Sequence, residues 1–349
     1  MRTVVGTMTG TSMDGVDAVA VQIDGFGKSM SASFISMESC DLGNARTVLQ
    51  RLATSGGSQA ELDNAALLVG DITAKAITKL NLDAIDLIAL HGQTVFHQPP
   101  KSVQLINTDT IAARYPCTIL TDPRQADLQL GGQGAPITPL ADWIMFRSTE
   151  ISTAIVNLGG FCNVTLLPAN CNINQIQGFD VCCCNLLLNA IAKERLGIEF
   201  DPSGSSAMRG KSDEKICTML FEYLSEQSNE QRSLGTDDDL GEYALQIGKH
   251  LATEDLLASA TKAIGACIFG SIGGQRLLLA GGGVHNKALV EATPNNGTTE
   301  LLGVPTQARE AMAMAILGAL SVDGISITLP QITGRNETEE LVGWAQVRP

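Results

Sequence analysis

Along the chain, apolar positions gather into short β-branched runs separated by polar, glycine-containing turns, and two of these runs resemble each other. Thr3-Val4-Val5 enters the loop 6–17, and Ala18-Val19-Ala20-Val21-Gln22-Ile23 resumes the strand pattern. Thr153-Ala154-Ile155-Val156-Asn157-Leu158 enters Gly159-Gly160-Phe161-Cys162-Asn163, and Val164-Thr165-Leu166-Leu167 resumes it. The echo predicts either a duplicated core with one such turn in each half or two unrelated hairpins. Helical periodicity covers 60–80, 140–146, 185–196 (with Gly197 just past its end) and 240–269. Strands are expected at 86–90, 103–106, 117–120 and 276–280, with a helix start at Asn107-Thr108-Asp109 and another helix after Gly281-Gly282-Gly283. Strands alternating with helices predict an α/β protein.

At 349 residues with 44% apolar content, the chain is long for one core and fills two domains of ordinary size. The glycine-rich stretch 131–136 marks the expected crossing, giving an N-terminal lobe over 1–137 and a C-terminal lobe over 138–349. A net charge of −14 repels nucleic acid and anionic membrane surfaces, so neither is an expected partner. A phosphorylated ligand would then be held by local devices: backbone amides, helix N-termini and a divalent metal. Nine cysteines, an odd number without a repeated Cys-x-x-Cys spacing, suit reduced thiols in a cytoplasm. The N-terminus runs straight into a strand pattern without a signal core, and no stretch of about 18 apolar residues predicts a membrane span.

The loop 6–17 combines hydroxyls, glycines and the carboxylates Asp14 and Asp17, which suits phosphate or Mg²⁺; a long hairpin loop with capping side chains is the plainer reading. It lacks the Gly-x-x-x-x-Gly-Lys-Ser/Thr pattern of a P-loop. Asp180, before the helix at 185, is either a cap or a proton acceptor. Arg124 at a strand end offers a fork of donors for a carboxylate, though Arg124 and Glu310 equally read as surface charges. His91 and His97 have no third ligand at matching spacing, which argues against zinc, and no Gly-x-Ser-x-Gly elbow is present.

Taken together, Gly6-Thr7-Met8-Thr9-Gly10-Thr11-Ser12-Met13-Asp14-Gly15-Val16-Asp17, His91-Gly92-Gln93-Thr94, Asp122 with Arg124 and Asp127, 131–136, 157–163, Gly178-Phe179-Asp180, 281–286, Glu310-Ala311 and Leu329-Pro330-Gln331-Ile332-Thr333-Gly334 resemble one family. It is the anhydro-N-acetylmuramic acid kinases of the actin-like ATPase superfamily, and the resemblance runs from residue 3 to about 334 in the family's order. It implies a two-lobed, ribonuclease H-like fold with a mixed sheet in each lobe and a cleft between lobes. It also implies an ATP- and Mg²⁺-dependent kinase of an amino sugar, in peptidoglycan recycling, and a homodimer. By the same resemblance Asp180 is the catalytic base. ATP is expected at Gly10, Thr11, Ser12, Met13, Asp14, Gly15, Val16, Asp17, Gly159, Gly160, Asn185, Gly281, Gly282 and Gly283. The sugar is expected at His91, Gln93, Arg124 and Glu310; no Mg²⁺ ligands are assigned.

One departure stands out. Where the family usually continues Gly-Phe-Asp with a Thr-Gly-Pro-Gly-Asn turn, this chain has Val181-Cys182-Cys183-Cys184-Asn185. A reshaped turn with altered phosphate contact is expected there, together with either inert packed thiols or a reactive thiol near a helix N-terminus. The alternative function is therefore a catalytically impaired relative that binds nucleotide or sugar as a sensor. Pro123, in place of the usual Phe, removes an aromatic contact beside Arg124 and leaves another sugar open as a substrate.

Overall fold

The computed structural model describes residues 1–10, 12–230, 234–235, 238–338 and 340–348, with the side chains of Glu230 and Arg348 left aside. In chain order the elements begin with β1 (Arg2–Met8), β2 (Gly15–Asp24), β3 (Ser31–Asp41), α1 (Ala45–Ser55), α2 (Gln59–Lys79), β4 (Leu87–Leu90), β5 (Gln93–Gln98), β6 (Lys101–Leu105) and α3 (Asp109–Arg114). Next come β7 (Thr118–Thr121), α4 (Gln125–Gln129), α5 (Pro139–Phe146), β8 (Thr153–Leu158), β9 (Phe161–Leu167), β10 (Gln177–Cys183), α6 (Asn185–Leu196), α7 (Ser205–Arg209) and α8 (Glu214–Glu230). The chain closes with α9 (Gly241–Ile247), α10 (Thr253–Ser271), β11 (Arg276–Ala280), α11 (Lys287–Ala292), α12 (Arg309–Val322), α13 (Pro330–Thr333) and β12 (Ala345–Arg348).

These elements form two compact units, Met1–Arg147 with Asn172–Asn174 and Leu302–Pro349, and Ser148–Cys171 with Gln175–Leu301. The expected division at 137 differs on both counts: α5 belongs to the first unit, and the chain returns to that unit at Leu302. The return has a packing cause. Helix α12 is buried along almost its whole length, and its alanines let it lie directly on β1. A Cβ at Gly6 would sit 2.0 Å from the Ala311 carbonyl oxygen and 2.4 Å from the Ala315 nitrogen. Any side chain there would push the helix off the sheet.

The first unit holds a six-stranded sheet in the order β12-β7-β4-β1-β2-β3, and the second a four-stranded sheet, β10-β9-β8-β11. In each, a hairpin of two antiparallel strands (β1–β2, β8–β9) continues antiparallel to a third (β3, β10), while its first strand pairs in parallel with a later one (β4, β11). The order β3-β2-β1-β4 is thus repeated as β10-β9-β8-β11. The echoing hairpins are the opening pieces of a duplicated mixed α/β core. Burial follows from this: β8 lies between two neighbours and is buried at every position, whereas edge strand β3 alternates exposed and half-buried residues.

Helix ends carry their own signals. Helix α2 opens on a capping box, with Ser58 Oγ accepting from the Glu61 amide and the Glu61 carboxylate accepting from the Ser58 amide, a motif worth about 1 kcal/mol. Helix α6 spans the predicted 185–196 and ends on left-handed Gly197. The continuous pattern over 240–269 breaks into α9 and α10. Gly248 closes the first helix, and Glu254 and Asp255 favour a new N-terminus. Among the described residues no helix is long and apolar enough to cross a membrane.

Candidate active site

In the first unit the singled-out residues collect at the carboxyl ends of the parallel strands β1, β4 and β7, where open α/β sheets bind ligands. Strand β1 delivers Thr7 and then Thr9, both buried with hydroxyls that find no partner among the described residues. The following loop is folded by the Met13 amide donating to the Gly10 carbonyl at 3.2 Å, and by the Leu42 amide donating to the Asp14 carbonyl at 3.1 Å. Met13 and Val16 send their side chains into the hydrophobic core, so any ligand they touch meets their backbone. Ser12 and Asp14 are exposed, while Gly10, Gly15 and Asp17 are half-buried. Thr11 lies outside the described residues. Burial is the main push raising the Asp17 carboxyl, the Ser39 hydroxyl (2.5 Å) opposes it, and Asp14 adds to it.

Strand β4 ends at His91 and β7 leads to Arg124, and the two side chains meet. His91 Nε2 lies 3.1 Å from Arg124 Nη2 and 2.8 Å from Gln104 Nε2. A guanidinium only donates, so Nε2 is the acceptor and the proton sits on Nδ1. Burial and the Arg124 charge hold the His91 ring neutral, well below the usual range. Arg124 Nη1 also donates to the Gly134 carbonyl at 2.6 Å. His97, on β5, shares Nδ1 with Ser102 Oγ at 3.1 Å, and burial and then Arg124 lower it to about 4. Gln93 is buried and donates to the Gly10 carbonyl at 3.3 Å, linking the hairpin β5–β6 to the loop after β1.

Glu310 opens α12 and is half-buried. Burial raises its carboxyl; Arg309 opposes, Asp142 and Asp17 add to the rise, and Arg124 opposes. Glu310 therefore shares one electrostatic neighbourhood with Asp17 and Arg124. Its neighbour Arg309 is fully buried and forks onto Asp142 of α5, with Nε on Oδ1 at 2.9 Å and Nη2 on Oδ2.

In the second unit the register builds a polar row across the sheet. Asp180 on β10 stands opposite Asn163 on β9, Asn163 opposite Asn157 on β8, and Asn157 opposite Ala280 on β11. The pairing of β10 shifts just after Asp180, an irregularity in the middle of the strand of the kind that bends the chain locally. Asp180 Oδ2 accepts from the Leu234 amide at 2.7 Å. Beside the row lie the glycines. The carbonyls of Gly159 and Gly160 accept from the amides of Cys184, Asn185 and Leu186, so three N–H groups at the start of α6 are already satisfied. Asn185 Nδ2 donates to the Leu158 carbonyl at 3.2 Å. Gly281 has φ +82°, and a Cβ there would lie 2.5 Å from Asn157 Oδ1, while one on Gly283 would lie 3.2 Å from Asn185 Nδ2. Gly282 has open space around it. Asn157, Asn185, Gly281 and Gly283 are thus close neighbours.

The cysteine run is not a turn. Val181, Cys182 and Cys183 continue β10, Cys183 pairs with Phe161, and its amide donates to Gln227 Oε1 at 2.9 Å. All three thiols are buried, with Cys162 and Cys267, in the core of the unit. Burial pushes the Cys183 thiol up to about 12 and the Cys184 thiol higher still, and a hydrogen bond with Cys267 and burial raise Cys182. Larger residues fit where glycine and proline were expected because the backbone is extended through Cys183, with Cys184 capping α6, and burial disfavours the thiolate at all three cysteines.

The sequence had flagged Asp180, Arg124, His91, Gln93, Glu310 and the glycine turns. It named Asn157 only within the motif 157–163, with no role of its own, and missed Gln104 and the Arg309–Asp142 pair. Asn157 was legible as the lone amide in an otherwise apolar strand; Gln104 and Asp142 needed the tertiary contacts.

Residues 2–345 match the family described as anhydro-N-acetylmuramic acid kinase. The curated anhydro-N-acetylmuramic acid kinase of Salinibacter ruber is 31% identical, covering 95% of this chain and 93% of its own. That of Synechococcus elongatus is also 31% identical, covering 95% and 96%. Among solved structures, the activator of the 2-hydroxyisocaproyl-CoA dehydratase from Clostridium difficile aligns at TM-score 0.47 and 13% identity, over 91% of this chain and 94% of that one. With the family matched over nearly the whole length, and its motifs gathered at the strand ends of both units, this chain belongs to the anhydro-N-acetylmuramic acid kinase family.

Proposed function

We propose that this protein opens 1,6-anhydro-N-acetylmuramic acid with water and phosphorylates O6 from ATP, giving N-acetylmuramic acid 6-phosphate and ADP, as a cytoplasmic step of peptidoglycan recycling. The observation that carries the reading is Asp180, a carboxylate on the edge strand β10 just before its register shift, in line across the sheet with the amides Asn163 and Asn157. Asp180 takes the proton of a water as its oxygen bonds to the anomeric carbon. The C1–O6 bond breaks, and its electron pair makes O6 the nucleophile for the γ-phosphorus.

In the first unit the sugar is met by Arg124 and Glu310. Their opposite charges suit, respectively, a carboxylate and a hydroxyl, with His91 and Gln93 buried behind them as supports. Gly10–Asp17 takes up the phosphates through backbone and hydroxyl groups, and Gly159, Gly160, Asn185 and 281–283 receive the nucleotide. The residues present suit ATP and Mg²⁺. Thr7 and Thr9 keep buried hydroxyls without partners among the described residues, and Asp14 and Asp17 repel each other in a way that a divalent cation relieves. Mg²⁺ would neutralise charge on the transferring phosphate; Asp17 and Asp14 are the residues of this chain to hold it.

The test is ADP release with Mg-ATP, with and without 1,6-anhydro-N-acetylmuramic acid, while mass spectrometry follows the 6-phosphate. Sugar-dependent ADP with that product is the expected result. Folded, ATP-binding protein that forms neither would sink the reading.

A further inference from the structure

The tail motif Leu329-Pro330-Gln331-Ile332-Thr333-Gly334 has no part in the chemistry so far, yet it is among the most tightly bonded segments of the first unit. Thr333 Oγ1 donates to Asp127 Oδ1 at 2.7 Å, with both residues fully buried. The other oxygen, Asp127 Oδ2, accepts from the Gly134 amide at 2.8 Å. The Gln133 amide donates to the Thr333 carbonyl at 2.8 Å, and the Gly132 amide to the Asp127 carbonyl at 3.0 Å. Arg335 places Nε 3.6 Å from Asp127 Oδ1 while bonding Thr328, and the Asn336 amide donates to the Leu130 carbonyl. A Cβ at Gly132 would sit 2.1 Å from Asp127 Oδ2, so the loop and the carboxylate are fitted to each other.

The glycine so held also carries the carbonyl of the next peptide group. The Gly134 carbonyl is the acceptor for Arg124 Nη1 at 2.6 Å, and Arg124 Nη2 reaches His91. A chain of bonds thus runs Thr333, Asp127, Gly134, Arg124, His91. A buried carboxylate is costly unless its lone pairs are satisfied. Here the loop bonds one oxygen and the tail the other, through Thr333 Oγ1 and the longer Arg335 contact, so losing Thr333 Oγ1 leaves Oδ1 to Arg335 alone and lets Asp127 shift toward it, and Gly134 with it. We propose that Asp127 and Thr333 are positioning residues, through which the C-terminal tail sets the Gly134 carbonyl and hence the direction of the Arg124 guanidinium. The role assigned to Arg124 in binding sugar rests on the proposed reaction; the positional chain does not.

The experiment uses the full-length protein with ¹⁵N-histidine, comparing wild type, Thr333→Val, Thr333→Ser, Arg124→Ala and the double variant Thr333→Val/Arg124→Ala. Thr333→Val is expected to shift the His91 Nε2 resonance and to raise KM for the anhydro sugar about tenfold, the scale of one lost buried hydrogen bond. KM for ATP should hold, and Thr333→Ser should restore both readouts. In the Arg124→Ala background, Thr333→Val should add nothing to the sugar KM. A lower Tm with an unmoved His91 resonance would overturn the proposal, as would fully multiplicative effects in the double variant. If the wild type has no sugar-dependent turnover but the His91 resonance still shifts in Thr333→Val, the positioning chain stands and the reaction does not.

Discussion

The two units repeat one strand order yet make their sites from different materials. At the strand ends of the first, side chains dominate: Arg124 and Gln104 both bond His91, and Glu310, Asp17 and the Arg309–Asp142 pair form a charged neighbourhood. At the corresponding ends of the second, the groups are glycines and amides, and Asp180 is the lone carboxylate of the row. The loop after β1 carries Asp14 and leads to Asp17 on β2, whereas the turn after β8 is Gly159-Gly160, whose carbonyls lock onto the start of α6. A duplicated scaffold thus fixes where ligand groups converge and leaves their chemistry to the loops. Side-chain recognition suits a small, feature-rich sugar, while close backbone approach suits phosphates and a flat base.

The sharpest way to break this contrast is Asp180→Asn. The variant keeps shape and the acceptor for the Leu234 amide but removes the proposed base, so kcat is expected to fall by about 10²–10⁴ with ATP binding retained. Near-normal turnover would move the base elsewhere. Next in size is Arg309→Met, which strands the Asp142 carboxylate in the first unit's interior at about 3–5 kcal/mol, read by denaturant unfolding. Adding Asp142→Leu should return most of that loss. If it does not, the pair contributes something beyond mutual compensation.

Smaller effects distinguish the two materials directly. Arg124→Ala is expected to raise the sugar KM by one to two orders of magnitude and leave the ATP KM within about twofold. Gly281→Ala should do the reverse, because its Cβ meets Asn157 at φ +82° and distorts the loop assigned to the nucleotide. Steady-state kinetics in both substrates gives the answer. If either variant moves both constants equally, the separation of sugar-holding side chains from nucleotide-holding backbone fails.

Much of this was legible in the sequence because its carriers are local. The hairpins at 3 and 153, helix α6 and strand β11 announced themselves by periodicity and by glycine, and the strand-end glycines and Asp180 stood in family motifs. The domain boundary was misplaced because membership of a unit is decided by packing. Nothing local in α12 says that its alanines will lie on Gly6, some 300 residues earlier. The cysteine run was misread as a turn for a related reason. Family glycine and proline suggested special φ, whereas pairing with β9 and the Gln227 side chain hold the chain extended through Cys183, and the carbonyls of Gly159 and Gly160 take the amides from Cys184 onward. Gln104 and Asp142 were invisible because a lone amide or carboxylate reads as a surface group until its partner is known.

The mildest test concerns His97, which separates the charged neighbourhood of the first unit from mere burial. Its ring is lowered from an ordinary 6.5 to about 4, first by burial and then by the Arg124 charge, with the Gln133 backbone opposing and Ser102 Oγ on Nδ1. Because the folded value lies below the unfolded one, the unfolded chain binds a proton first as pH falls. Stability is therefore full above about 6.5, declines as pH drops toward 4, and stops declining from this source below that. Urea unfolding between pH 7 and 4 should show that decline, and His97→Gln should flatten part of it. Arg124→Ala should flatten less, since it removes the charge and leaves the burial. Equal flattening by the two variants would mean that Arg124, not the hairpin's packing, holds the ring neutral, and the first unit would then be electrostatic to a greater depth than its contacts suggest.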